Sequence, residues 1–183
     1  MDDSTIIVSN QESIIEAIHN IKEFGQLAGP TLNLDKTEGM WLGPLKDSCA
    51  EFAGIKFKKG SIKCLGIFIG HHKEENLEKN WMHKIKKIQA ALEVWKSRDL
   101  TLLGKILIIK TLGLSKISYV ATVLPCPESV IRSIQKLFYD FLWKGKDRIR
   151  RSLLINRYEK GGLKMPDVKA YVDALHASWV PRV

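Results

Sequence analysis

Cysteine is scarce in this chain, with Cys49, Cys64 and Cys126 the only three in 183 residues. This odd, scattered set shows neither a disulfide framework nor zinc-ligand spacing, and it suits a reducing compartment. No run of about 18 apolar residues occurs, so no membrane-spanning helix and no membrane partner are expected. Asp2 and Asp3 stand where a secretory leader would carry Lys or Arg. The expected setting is therefore intracellular, nucleus or cytoplasm. A Gly-rich phosphate loop, a nucleophilic triad and an internal repeat are also missing. Acidic residues are outnumbered, 20 against 29 basic, for a net charge of +9. The imbalance is local. Residues 1–80 hold 9 Lys/Arg and 12 Asp/Glu, net −3, and residues 81–183 hold 20 and 8, net +12. A basic second half calls for a polyanion partner, although charge alone also fits a solvated face with none.

What is present is a 45% hydrophobic content, enough for one domain or two small ones. Ser9 and Glu12 read as a capping box. The helix after it carries Ile14, Ala17, Ile18, Ile21 and Phe24 on one face, is weakened by Gly25, and stops at Gly29-Pro30. Residues 55–69 predict a hairpin, Ile55 to Lys58 returning as Ile62 to Leu65 about Lys59-Gly60. Residues 70–76 form a polar break, where His71, His72, Glu74 and Glu75 read as a loop rather than a metal site. The chain then turns helical. Leu77, Trp81, Ile85, Ile88, Leu92 and Trp95 make one buried stripe. Leu102 to Leu114 is apolar nearly all round, and Ile117, Val120 and Leu124 mark a further short helix. Pro127 starts another, burying Ile131, Ile134, Phe138 and Phe141. Residues 144–151 are the densest basic run. A Gly161-Gly162 turn then precedes a last amphipathic stretch through Tyr171, Leu175 and Trp179.

Asp2-Asp3 opens directly into the strand-like run Ser4 to Ser9. Such a carboxylate pair suits a hard divalent cation and two-metal phosphoryl transfer, but a full site needs further ligands. Several segments together resemble the C-terminal part of the reverse transcriptase of non-LTR (LINE-type) retrotransposons. Asp2-Asp3 and its strand resemble the end of the palm's aspartate motif, with Met1 where the family has Ala. Phe24-Gly25, Gly29 and Asn33-Leu34-Asp35-Lys36-Thr37-Glu38 resemble the segment after it, with Ala28 for Ser and Pro30 for Leu. Lys63-Cys64-Leu65-Gly66-Ile67 resembles the primer grip, with Cys64 where Tyr is common. Trp95, Leu100 to Ile106 and Ile109-Lys110 resemble the thumb. Ser115-Lys116-Ile117 with Tyr119, Leu124-Pro125 with Pro127, Phe141 to Lys146, and Gly161-Gly162-Leu163 with Met165-Pro166-Asp167 follow in family order.

The resemblance implies an α+β fold: a partial polymerase palm of short strands, one helix and a primer-grip hairpin, then a mostly helical thumb-like domain. The expected organisation is palm at 1–76, thumb at 77–143, and a basic segment with the Gly-Gly-Leu region at 144–183. It also implies RNA-directed DNA synthesis by the parent enzyme. There Asp2 and Asp3 would bind Mg²⁺, and Lys36 would lie by the nucleotide phosphates. Leu65, Gly66 and Ile67 would support the primer end. Lys84, Lys86, Lys87, Lys105, Lys110, Lys144, Lys146, Arg148, Arg150 and Arg151 would track phosphates of an RNA template and an RNA–DNA or DNA primer duplex. Against this stand plain structural readings: a frayed terminus, a turn lysine, a hairpin glycine and a solvated face. Trp143 is the one aromatic kept as a stacking candidate; the others read as core. The isolated chain is expected to be inactive and to hold no cofactor, with Mg²⁺ and dNTPs belonging only to the intact enzyme. A stand-alone RNA or RNA–DNA binding module and a non-functional mobile-element remnant are the alternatives.

Overall fold

The structure, a computed structural model, describes residues 4–143 and 145–180. The fold is α+β and divides into two compact units, Met1–Asn76 and Leu77–Val183.

In the first unit, α1 spans Gln11–Ala28. Its cap is Asn10 rather than the expected Ser9. Asn10 keeps an extended backbone, and its Oδ1 accepts the Ser13 N–H at 2.8 Å, satisfying a helix donor that otherwise has no partner. Gly29, at φ 91°, ends the helix by donating its N–H to the Gly25 carbonyl at 2.8 Å. Gly25 is needed for space, since a Cβ there would strike the Pro30 carbonyl oxygen. Only Ile14 of the expected stripe is fully buried, and Phe24 stays 63% exposed.

The strands pair differently from the sequence reading. Strands β1 (Glu38–Gly39), β2 (Glu51–Phe52) and β3 (Ile55–Phe57) form one sheet with β3 in the middle, parallel to β1 and antiparallel to β2. Strands β4 (Ser61–Cys64) and β5 (Ile67–Gly70) form a separate hairpin, with Ser61 opposite Gly70 and Cys64 opposite Ile67. The expected turn at Lys59-Gly60 is not the hairpin turn. Ala53-Gly54 (φ 51° and 77°) and Leu65-Gly66 (φ 48° and 83°) supply the two positive-φ pairs that tight two-residue turns demand. The small core is Ile14, Trp41 and Ile55, with Phe52 and Phe57 packed against it. The Trp41 ring stacks on Phe57 with centroids 4.2 Å apart, and its indole N–H donates to the Cys49 carbonyl at 2.8 Å.

Helices build the second unit. Helix α2 (Lys73–Lys96) begins inside the stretch read as a polar loop. It buries Trp81, Ile88 and Leu92 as the stripe requires, and the Trp81 indole donates to the Pro125 carbonyl at 3.0 Å. Helix α3 (Leu102–Ile108), a π-helical segment (Ile109–Leu114) and α4 (Ser115–Val123) follow without interruption. Two expected helices are therefore one. Leu102–Val123 is long and apolar enough, by length and composition, to cross a membrane. Counting unbroken apolar runs missed it because Lys105, Lys110 and Lys116 interrupt the run. Its Ile106, Ile109, Leu114, Ile117, Val120 and Ala121 belong to the unit's core. Helix α5 (Glu128–Trp143) buries Ile131, Ile134, Phe138, Tyr139, Phe141 and Leu142.

Residues from the chain after 144 contribute to that same core. Leu154 of α6 (Arg151–Ile155), Met165, and Val168 and Val172 of α7 (Val168–Ala177) are all buried in it. The Gly-Gly-Leu region folds back on α6, the N–H groups of Leu163 and Met165 both donating to the Leu154 carbonyl at 3.1 and 2.9 Å. Gly162 permits this approach, because a Cβ there would collide with the Asn156 backbone.

Candidate nucleic-acid interface

Asp2, Asp3 and Lys144 lie outside the described residues. Among the described residues, no group of three or more His, Cys, Asp or Glu side chains is placed to hold a metal ion.

Lys36 closes a single 3₁₀ turn, Leu34–Lys36, and is exposed. Asn33 fixes that turn twice. Its Oδ1 accepts the Lys36 N–H at 3.2 Å, and its carbonyl accepts the Thr37 hydroxyl at 2.7 Å. Leu65 and Gly66 are the exposed turn of the β4–β5 hairpin, and Ile67, just after it, is buried. The left-handed backbone at Leu65 is unfavourable for a residue with a Cβ, so the turn is held by the strands on either side.

In the second unit the proposed phosphate ligands fall into two groups. The first is half-buried or, for the exposed Arg151, already paired within the fold. Lys105 is half-buried, and its Nζ donates to the Leu142 carbonyl at 2.8 Å, in the last turn of α5. A cation there satisfies a terminal carbonyl and complements the helix dipole. Lys84 and Lys110 are half-buried as well. Arg151 pairs with Asp147, Nε to Oδ2 2.7 Å, and its Cζ lies 4.2 Å from the Tyr139 ring centroid. The second group is exposed: Lys86 and Lys87 on α2, and Lys146, Arg148 and Arg150 between α5 and α6.

The chain from Lys146 to Arg151 is thus a basic loop anchored at its end by Arg151. Burial pushes the Tyr139 phenol above its ordinary value, against the lowering pull of Gln135 and the Arg151 cation. A phenol held neutral under a guanidinium is a structural contact, not an acid at neutral pH. An open depression nearby is lined by Glu93, Lys96, Ser97, Asp140 and Gly145. Lys96 is spent on Glu93 at 3.2 Å, so Asp140 and Glu93 make the depression poor ground for a phosphate. A polyanion is better served by the exposed loop than by the hollow.

Trp143 is half-buried, and its indole nitrogen has no hydrogen-bond partner among the described residues. It is packed against the core, which leaves little ring for stacking. Trp95, read as core, is half-buried with Arg98 4.4 Å over its ring. Besides Phe24, another aromatic left exposed is Trp179. It continues the Tyr171–Leu175 spacing, yet it is 68% exposed, because α7 ends at Ala177. Arg157 and Lys160, exposed beyond α6, extend the basic surface past the run that composition picks out.

No protein-family profile matches the chain. Across a 185-residue alignment that takes in 98% of this chain, it is 24% identical to the transposon TX1 uncharacterized 149 kDa protein of Xenopus laevis. The aligned region is 14% of that protein, so the chain spans a small part of the curated relative it matches. The similarity supports a transposable-element origin.

Proposed function

We propose that this chain is part of the RNA-directed DNA polymerase of a non-LTR retrotransposon, and that its helical unit holds nucleic acid by the phosphate backbone. One observation carries the reading. Alignment with a transposon-encoded protein covers 98% of the chain, and the same stretch carries the reverse-transcriptase-like segments in family order. In this reading Met1–Asn76 is the end of a palm and the helical unit is a thumb with its following segment. The partners are an RNA template and an RNA–DNA or DNA primer duplex, met inside the cell.

The exposed cations Lys86, Lys87, Lys146, Arg148 and Arg150 would neutralise phosphates and release counterions. Binding would therefore be sequence-tolerant and steeply weakened by salt. Arg148 and Arg150 are the strongest contributors, since a guanidinium meets phosphate through two parallel hydrogen bonds. Nucleotidyl transfer would need metal ligands beyond Asp2 and Asp3, so the chain by itself is proposed to bind without extending a primer.

The test is binding of the purified chain to a labelled RNA–DNA primer duplex across a salt series, with a primer-extension lane containing Mg²⁺ and dNTPs. Salt-sensitive binding without extension supports the proposal. Extension would refute the inactivity of the isolated chain. Absence of binding at low salt would favour a mobile-element remnant.

A further inference from the structure

We infer that Trp179 is a stacking platform for an unpaired base of a single-stranded nucleic-acid segment. The inference rests on the nucleic-acid reading above and adds a ligand class and a site to it. An indole is usually placed by burying it, yet Trp179 leaves 68% of its surface in solvent. It is positioned instead by a bond across the fold, its Nε1–H donating to the Thr122 carbonyl at 3.0 Å in the last turn of α4. The backbone behind it is fixed as well. Its amide donates to the His176 carbonyl at 3.2 Å, and the Ser178 hydroxyl donates to the Leu175 carbonyl at 2.6 Å. The one polar atom of the indole is thereby used, and much of the ring's apolar surface is left uncovered.

Its surroundings suit a base. Tyr119 and Val123, one helical turn apart on α4, are 48% and 52% exposed, and Val180 is 67% exposed. These are exposed apolar side chains on the helix that carries the Thr122 carbonyl and on the residue after Trp179, with no carboxylate among them. The charged side chains of α4 and α7, all exposed, are Lys116, Lys169 and Asp173, two cations against one anion. With residues 81–183 at net +12, the partner with matching charge is a polyanion carrying flat apolar rings. Base-on-aromatic stacking with phosphates drawn by nearby cations is how single strands are held without sequence preference. A duplex hides the faces of its bases, so the ligand is single-stranded.

The test compares a labelled single-stranded oligonucleotide with an abasic strand of equal length and charge, using the full chain. Trp179→Ala is expected to weaken binding of the base-bearing strand by about 5- to 150-fold, the range for losing one stacked base. The abasic strand should bind both proteins alike. Trp179→Phe keeps a ring and should recover part of the affinity, and no recovery would overturn stacking. An equal effect on both strands, or none on either, would overturn the platform while leaving the phosphate-binding reading intact. If the wild-type chain binds neither single strand yet binds the RNA–DNA duplex, the platform falls and the phosphate-binding reading stands; if it binds no nucleic acid at all, both fall. Trp179-dependent sedimentation with phosphatidylserine vesicles, without any effect on the oligonucleotide, would replace the base with a lipid surface.

Discussion

Gly113 sits directly against the ring of Phe138: a Cβ built on it would lie 2.7 Å from Phe138 Cε1 and 2.9 Å from Cζ. The glycine belongs to the π-helical segment and the ring to α5, so this close approach sets how near the two helices come. Phe138 is fully buried and cannot swing aside.

Two opposing effects decide the outcome of Gly113→Ala. Helix propensity favours Ala by about 1 kcal/mol. Overpacking a rigid core costs about 1–3 kcal/mol. The steric term wins, so the variant is expected to unfold at lower urea than wild type. Gly104→Ala is the control, because its Cβ would meet nothing closer than the Thr101 hydroxyl at 3.4 Å. That variant should gain stability. A raised midpoint for Gly113→Ala would mean that the close approach is not a constraint.

Lys105 separates a structural cation from a phosphate ligand. Its ammonium is committed to the Leu142 carbonyl at 2.8 Å. Lys105→Met should cost about 1.5–3 kcal/mol, the range for a hydrogen bond to a charged group. Nucleic-acid affinity and its salt dependence should stay at the wild-type level under folded conditions. A reduced salt slope with unchanged stability would reassign Lys105 to the interface.

The neighbouring arginines should behave the other way. Arg148 and Arg150 are exposed, so each change to Ala should lower the slope of log K against log salt by roughly 0.9 for each phosphate no longer neutralised. Arg151 holds Asp147 at 2.7 Å and covers the Tyr139 ring. Its replacement should cost about 0.5–1.5 kcal/mol of stability, from a surface ion pair and a cation–π interaction together. Titrating all three single variants against the same duplex separates the two kinds of arginine.

The helical unit was largely legible because its signals are local. Trp81, Ile88 and Leu92, and Ile131, Ile134, Phe138 and Phe141, recur at helical spacing and are all buried. The strands were not legible for the opposite reason. Ile55–Phe57 is three residues long, too short for alternation to choose a partner. The choice fell to turn chemistry at Ala53-Gly54, where a non-glycine residue adopts positive φ. The helical run from Leu102 to Val123 was read as two helices, whereas it is continuous, with Gly113 within it a packing position under Phe138. For the basic residues, composition reveals the charge but not the side-chain commitments. Nothing in the spacing of Lys105 indicates the Leu142 carbonyl, 37 residues away. Trp179 was hidden by its own regular spacing.

Ser118 ties α4 to α7 through one proton. Its hydroxyl lies 2.9 Å from the Leu114 carbonyl and 2.7 Å from the Tyr171 hydroxyl. A carbonyl can only accept, so the Ser118 proton goes to Leu114, and Tyr171 donates to Ser118. Tyr171→Phe should therefore remove a single hydrogen bond and cost about 0.5–1.5 kcal/mol in urea unfolding. Ser118→Ala removes both bonds and leaves the phenol without its acceptor, so its cost should be larger. No cost for Tyr171→Phe would mean that the bond between the helices contributes nothing.

Cys126 gives a pH-dependent readout of the fold. Burial, reinforced by the Glu128 carboxylate, pushes its thiol from 9.0 up to about 12. The thiolate is the nucleophile, so at pH 8 folded Cys126 should react with iodoacetamide far more slowly than the exposed Cys49. The same shift fixes a sign for stability. Below pH 9 the thiol is neutral in both folded and unfolded chains and contributes no pH dependence. Between pH 9 and about 12 the unfolded chain releases this proton while the folded chain keeps it. The folded state then binds more protons, so its stability falls as pH rises through that window. Lysines titrate there too, so the measurement is the difference in slope between wild type and Cys126→Ala. Wild type should lose stability with pH more steeply than the variant. Identical slopes, together with rapid labelling of Cys126 in the folded chain, would show that the thiol is open to water and that the turn from Pro125 to Pro127 packs more loosely than the Trp81 hydrogen bond to Pro125 implies.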